Sequence, residues 1–291
     1  MENRVVTQPA SPIRPSQVIG MKSLILNLLA LSLFLLPKGA LAAQDVQISS
    51  WLTETGSVIF QDYKNYYSTK NLAMLGLGLG VGGALANTSA DREVREWYQD
   101  SVRSNATDDI SEGLEYFGRA WVIVPCFVGA AVLGKLTKET RIGSTVGEWG
   151  TRSLRTLLVG VPPALLLRYT LGGSRPEEGS SHWSPFEGDN SVSGHSFLGA
   201  VPLIVAAQMS SSLYWKIPLY LASTLVGLSR INDDKHYLSQ AALGWSLAYL
   251  AAASVDQTEL EKRNALDGVR SDVRSRKTLD FVLENAAVKV E

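Results

Sequence analysis

The chain has 291 residues, enough for one large domain or two small ones. Hydrophobic residues make up 45% and charged residues 19%, which is apolar for a soluble enzyme yet low for a protein built mostly of membrane spans. A net charge of -1 and the absence of a basic stripe give no nucleic-acid footprint, and a single cysteine excludes an internal disulfide. That cysteine, Cys126, falls inside the apolar run 121–133 and reads as an inert buried residue.

Residues 1–20 are polar and carry Pro9, Pro12 and Pro15 ahead of a second methionine, Met21. From Met21 the pattern is that of a secretory signal: Lys22, the apolar core 24–36, then the small-residue site Ala40-Leu41-Ala42. An uncleaved anchor helix is the alternative. The chain divides accordingly into an extension and signal or anchor at 1–42, an amino-terminal region at 43–90, a main domain at 91–254 and a charged tail at 255–291.

A polar, aromatic stretch (44–70) leads to the Gly-rich apolar segment 72–86. Residues 91–102 read as an exposed amphipathic helix with Val94 and Trp97 on one side. Apolar segments then come at 120–136, 154–171, 197–213, 217–228 and 238–253, each helical in length and none alternating like a strand. Most lie at or below the roughly 17–25 residues that cross a bilayer. The expectation is an all-α, compact helical bundle with about five to six short membrane-associated helices, kinked at Pro162-Pro163. Lys135, Lys138, Arg141, Arg152 and Arg155 read as one basic connection, with Lys216, Lys262, Arg263 and Arg270 on the same side. The positive-inside rule then puts the connections 172–196 and 229–237 on the outer, periplasmic face of an inner membrane. A soluble periplasmic bundle is the alternative.

Those outer connections hold three clusters with chemistry in them. Arg168 sits near a helix end and Arg175 on the loop after Gly172-Gly173, where two guanidinium groups converge on one anion. Ser193 is a natural N-cap before the run 197–213, Gly194 allows close backbone approach, and the helix start offers free N–H groups to an anion. His195 lies in that first turn. Ser229-Arg230 and His236 form the third cluster, with Gln240 one helical turn beyond the imidazole. Two of the three histidines fall in these clusters; His182, in the intervening loop, reads as solvent-exposed.

In this order, Arg-x6-Arg-Pro, Ser-Gly-His and Ser-Arg-x5-His resemble the three motifs of the type 2 phosphatidic acid phosphatase (PAP2) superfamily, which also holds class A acid phosphatases and vanadium haloperoxidases. The resemblance implies a PAP2-type bundle and a phosphatase. Arg168 stands at the family's lysine, and Arg175 and Arg230 at its phosphate-binding arginines. Ser193 and Gly194 stand at groups that bind phosphate oxygens. His195 matches the general acid and His236 the nucleophile that forms a phosphohistidine. No metal or other cofactor is implied. The implied partner is a phosphorylated lipid at a membrane, or a small phosphate ester if the bundle is soluble; oligomeric state is not indicated. Two departures stand out: Val192 replaces a proline, and Gln240 replaces an aspartate. A glutamine accepts the same hydrogen bond from the imidazole but brings no charge. Asp233 or Asp234 would have to supply one, or the site is a degraded one that binds phosphate without turnover.

Overall fold

Among the described residues the apolar runs become helices, and several of the starts are fixed by a hydroxyl cap. The computed structural model describes residues 45–286, and every regular element among them is helical. The segment read as a signal, 21–42, lies outside the described residues. Contacts divide the chain into units 1–55 and 56–291, and the second holds the packed helical frame and the candidate site.

The helices in order are α1 (Asp45–Tyr66), α2 (Thr69–Ala86), α3 (Ala90–Ser101), α4 (Asn105–Glu115), a single 3₁₀ turn (Tyr116–Gly118), α5 (Ala120–Leu136), α6 (Arg141–Leu171), α7 (Gly194–Met209), α8 (Leu213–Ala222), α9 (Leu225–Asn232) and α10 (Leu238–Ala286). Ser68, Ser104, Thr140 and Ser193 cap α2, α4, α6 and α7, each accepting an N–H from the first turn. Helix α10 packs along α7, α6 and α2; α9 lies on α4 and α7, and α5 pairs with α6. Between them Val159, Ala200, Val201, Ile204, Leu243, Leu247 and Ala251 are fully or almost fully buried. The α5–α6 pair is held close by glycine against glycine. A Cβ on Gly134 would lie 2.2 Å from the Cα of Gly147, so neither position admits a side chain.

Two boundaries and one burial differ from the sequence reading. Helix α6 is continuous from Arg141, so Arg152 and Arg155 belong to a helix and not to a basic loop. Both are buried and paired: Arg152 with Glu148 and Asp256, Arg155 with Asp62 and Glu259. Their charges are answered by carboxylates, which removes them from the loop count used for orientation. The run 217–228 is broken at Ser223-Thr224, whose hydroxyls bond back to the carbonyls of Tyr220 and Leu221 and compete with helix continuation. Cys126, expected inside, is exposed on the outward side of α5, because that helix buries Ile123, Val124 and Phe127 instead. At the start of α3, Asp91 is fully buried. Its carboxylate accepts from the backbone N–H and hydroxyl of Ser239, placing negative charge at the positive start of α10.

The outer surface is apolar in many places, with Leu77, Trp121, Ile142, Leu166, Tyr214 and Leu221 all exposed. By length and composition one stretch, Leu238–Ala265, is long and apolar enough to cross a membrane. There are up to three if each of two bent pairs counts as one span: Thr69–Ala86 with Ala90–Ser101, bent by 69°, and Asn105–Gly118 with Ala120–Leu136, bent by 57°. The tail expected after 254 continues α10 as helix to Ala286.

Polar ties lock α1 and α2 to this frame. Asp62, with no exposed surface, takes two hydrogen bonds from the Arg155 guanidinium, at 2.8 and 2.6 Å. Asn65 donates to Thr258 and Asn71 to Ser254, both across to α10. Removing one member of a buried pair strands the other charge. Asp62→Ala is therefore expected to destabilise the folded chain by about 3 kcal/mol, read from its unfolding midpoint in detergent, and the double replacement Asp62→Leu/Arg155→Met to recover most of the loss.

Candidate active site

Helix α6 ends because Gly172 and Gly173 adopt φ of +71° and +109°, conformations that side-chain-bearing residues rarely hold. The turn leaves Arg168 on the last helical turn and carries the chain out to Arg175. Arg168 is fixed by Asp189, through both its carboxylate (2.9 Å) and its backbone carbonyl. Arg175 Nε donates to Asn190 Oδ1 at 3.1 Å, and its backbone N–H is held by Glu178. The loop 172–193 is thus stapled back on itself, with both guanidinium groups anchored at one edge.

The second cluster is a helix start. Ser193 is fully buried and its Oγ accepts the N–H of Ser196 at 3.3 Å. Gly194 opens α7, and a Cβ built on it would meet nothing within 4 Å. Gly194 is exposed, so the start of α7 reaches the surface, as an anion site needs. His195 is packed from behind by the 3₁₀ turn: a Cβ on Gly118 would come within 2.8 Å of the His195 side chain. Any larger residue there would push the imidazole out of place.

The third cluster sits on the end of α9 and the start of α10. Arg230, placed on a loop by the sequence reading, lies in the last turn of α9, and the polar connection shortens to residues 233–237. Arg230 is buried. Its Nη1 meets Asp233 at 2.9 Å and Glu115 at 3.5 Å, while its Nε is buried without a hydrogen-bond partner. A buried N–H donor left open inside a cationic site is the natural partner of an oxyanion.

Gln240 does what its position allows. Its Oε1 lies 2.9 Å from His236 Nδ1 and also accepts the backbone N–H of Tyr237 at 3.2 Å. Its amide nitrogen donates to the Ser174 carbonyl at 2.8 Å. Turning the amide over would set N–H against N–H and oxygen against oxygen, so the orientation is determined by its partners. The consequence is chemical: the proton of neutral His236 is on Nδ1, and Nε2 carries the free lone pair. Asp233 and Asp234 do not take over the missing aspartate's place. Asp233 is bound by Arg230 and Ser111, and Asp234 by Arg95.

The electrostatics reflect this enclosure. Burial, partly opposed by the Gln240 hydrogen bond and reinforced by Arg175, Arg230 and Arg168, pushes the His236 pKa down to about 3. Burial and Arg230 push His195 down to about 4, with Glu115 pulling the other way. Each histidine therefore lies within the field of Arg175 and Arg230. All eight residues singled out from the sequence meet at this end of the bundle: Arg168, Arg175, Ser193, Gly194, His195, Arg230, His236 and Gln240. His182 is exposed, on the wall of an adjoining cleft of about 490 Å³ shared with Arg92, Arg95 and Tyr237. Sequence reasoning missed Glu115, Gly118 and Arg119. Glu115 bridges Arg119 at 2.7 Å and Arg230 at 3.5 Å, and no motif marks a turn that reaches the site from more than 70 residues away along the chain. Among the described residues no three His, Cys, Asp or Glu side chains gather as a metal-binding group.

Two comparisons bear on this arrangement. Residues 154–262 match the family model of the PAP2 superfamily, a segment that contains all eight site residues. The chain is similar in structure to the first transmembrane PAP2 type phosphatidylglycerolphosphate phosphatase from Bacillus subtilis, with a TM-score of 0.53 and 19% identity over 65% of this chain and 96% of that one. Comparison with curated proteins gives no match. The resemblance carried by the three motifs is thus to the PAP2 superfamily, and the all-α fold is similar to that of the solved PAP2 type structure.

The amide orientation makes a direct prediction. Gln240→Asp places a carboxylate beside His236 Nδ1 and should raise the imidazole pKa well above about 3. Ring-proton NMR titration of the variant in detergent reads it; an unchanged titration would mean that position 240 does not face the ring.

Proposed function

We propose that the protein is a PAP2-type phosphatase that hydrolyses phosphate monoesters without a metal, through a phosphohistidine on His236. The observation that carries this reading is the Gln240 fork, which gives a buried imidazole a lone pair on Nε2 among the charges of Arg168, Arg175 and Arg230. The phosphoryl oxygens would be held by Arg175, by the open Nε of Arg230, by the N–H groups at Gly194 and by Ser193, with Arg168 adding charge. His236 Nε2 attacks phosphorus while the bond to the leaving alkoxide breaks, and His195 supplies the alkoxide's proton. Neutral His195 then takes a proton from water, whose oxygen displaces His236 and releases inorganic phosphate. Fixed cations and N–H groups stabilise the charge on the transferring group in both steps.

The apolar outer surface and the candidate span support a site at a membrane, and thus a lipid phosphate as substrate: phosphatidic acid, phosphatidylglycerol phosphate, a polyprenyl pyrophosphate or a lipid A phosphate. The site would face the periplasm from the inner membrane. A soluble periplasmic enzyme on small monoesters is the alternative.

The test is phosphate release by the purified chain in detergent with chelator present, from phosphatidic acid and from a soluble monoester. Release from the lipid, lost by about 10³-fold or more in His236→Ala, is the expected result. Equal release by the variant would contradict the nucleophile. Release from the soluble ester alone would favour the small-monoester reading.

The two histidines also fix a pH profile. The free enzyme needs His236 neutral, which burial secures down to about pH 3, and His195 protonated, which its burial and Arg230 allow only below about 4. The kcat/KM profile should peak in acid and fall about tenfold per pH unit on its alkaline side. A bound phosphate's negative charge raises the His195 pKa, so kcat should persist to higher pH than kcat/KM. Coincident profiles with a neutral optimum would contradict this assignment of acid and base.

A further inference from the structure

A second charged cleft, of about 620 Å³, opens at the far end of the bundle between α5, α6 and α10. Its walls carry five cations, Lys135, Lys138, Arg152, Arg155 and Lys262, and two carboxylates, Glu148 and Glu259. With Asp62 and Asp256, which also pair with the two arginines, the carboxylates number four, so the cleft keeps an excess of one positive charge, carried by its lysines. The floor is built, since Arg152 and Arg155 are held in place by their buried carboxylate pairs. Those pairs leave Arg152 Nε buried with no hydrogen-bond partner. Lys138, at the rim, is exposed and makes no ion pair among the described residues, and Lys262 reaches only Glu259, at 3.6 Å. The cleft exists because α5 and α6 approach at Gly134 and Gly147, both of which line it and neither of which fills it with a side chain.

Its place along the helices matters. From His236 to Glu259 the chain is almost entirely α10, and at 1.5 Å per residue the two lie roughly 35 Å apart. That is close to the roughly 30 Å of a bilayer's hydrocarbon core, so a catalytic end at one surface puts this cleft at the opposite one. Phosphate groups of the opposite leaflet are then the anions within reach of a basic cleft between helices.

We propose that this cleft binds a phosphate-bearing anion, the headgroup of a phosphodiester lipid of net negative charge or a free phosphate ion, at a site separate from the catalytic one. A phosphodiester lipid has no terminal phosphate for the catalytic histidine to remove, so binding here does not depend on turnover. Lys138 and Lys262 at the rim supply the attraction, and Arg152 and Arg155 supply fixed guanidinium donors whose charge is shared with their carboxylates, Arg152 Nε being the one left without a partner.

The experiment is calorimetric titration of the full chain in uncharged detergent with three probes: short-chain phosphatidylglycerol, short-chain phosphatidylcholine and inorganic phosphate. Each is compared with the variant Lys138→Glu/Lys262→Glu. The rim lysines are exposed, and an unchanged circular-dichroism spectrum and unfolding midpoint in detergent check that the variant is folded. Expected is a saturable component for phosphatidylglycerol or for phosphate that weakens by about tenfold or more in the variant, with phosphatidylcholine unaffected by the replacements. Loss with phosphatidylglycerol alone identifies the lipid headgroup as occupant, and loss with phosphate alone the free ion. Identical isotherms for the native chain and the variant with both anionic probes would overturn the proposal, as would equal weakening with phosphatidylcholine.

Discussion

One glutamine ties the catalytic end together. Gln240 is almost completely buried, and four groups meet at it: His236 Nδ1 and the Tyr237 N–H at its side-chain oxygen, the Ser174 carbonyl at its amide, and the Ser193 N–H at its backbone carbonyl. Ser174 precedes Arg175, Ser193 caps α7 before His195, and His236 comes just after α9. The three clusters, brought from separate stretches of chain, are therefore joined through one residue. An aspartate there would add charge but could not also donate to Ser174. The substitution keeps orientation and tautomer while giving up electrostatic stabilisation of the imidazolium, which fits the depressed His236 pKa of about 3.

The rest of the fold serves that junction from a distance. Helix α10 runs from the site to the opposite end, and its partners α6, α7 and α2 are held to it by apolar packing in the middle and by ion pairs at the far end. The buried carboxylates that satisfy Arg152 and Arg155 keep two charged side chains inside an otherwise apolar frame. The bundle thus carries charged clusters at both ends of α10 and many exposed apolar side chains between and around them. The site itself needs little more than oriented N–H groups and guanidinium charges, because phosphoryl transfer is helped mainly by positioning and electrostatics.

Much of this was legible in the sequence, for identifiable reasons. The helices arise from uninterrupted apolar runs, and the site from residue types that are uncommon in such a chain: two of three histidines, each beside an arginine or a capping serine. What was not legible depended on three-dimensional partners. Arg152 and Arg155 looked like loop charges because Asp62, Asp256 and Glu259, which bury with them, lie about 90 to 105 positions away. Cys126 looked buried because an apolar run does not say which of its faces turns inward. The 3₁₀ turn behind His195 left no trace, since Gly118 and Glu115 act through packing and a single ion pair. The break at Ser223-Thr224 inside the run 217–228 was not legible, because two adjacent hydroxyls do not by themselves stop a helix; in the fold Ser223 also accepts the Trp245 indole N–H.

The most direct test is to trap the reaction midway. The full chain would be mixed with a ³²P-labelled monoester, quenched within one turnover, and the label assigned to a residue by peptide mass mapping under alkaline conditions that preserve phosphohistidine. The expected result is an acid-labile phosphate on His236, absent from His236→Ala. A label on any other residue, or turnover with no phosphoenzyme and no dependence on His236, would contradict the assignment of His236 as nucleophile.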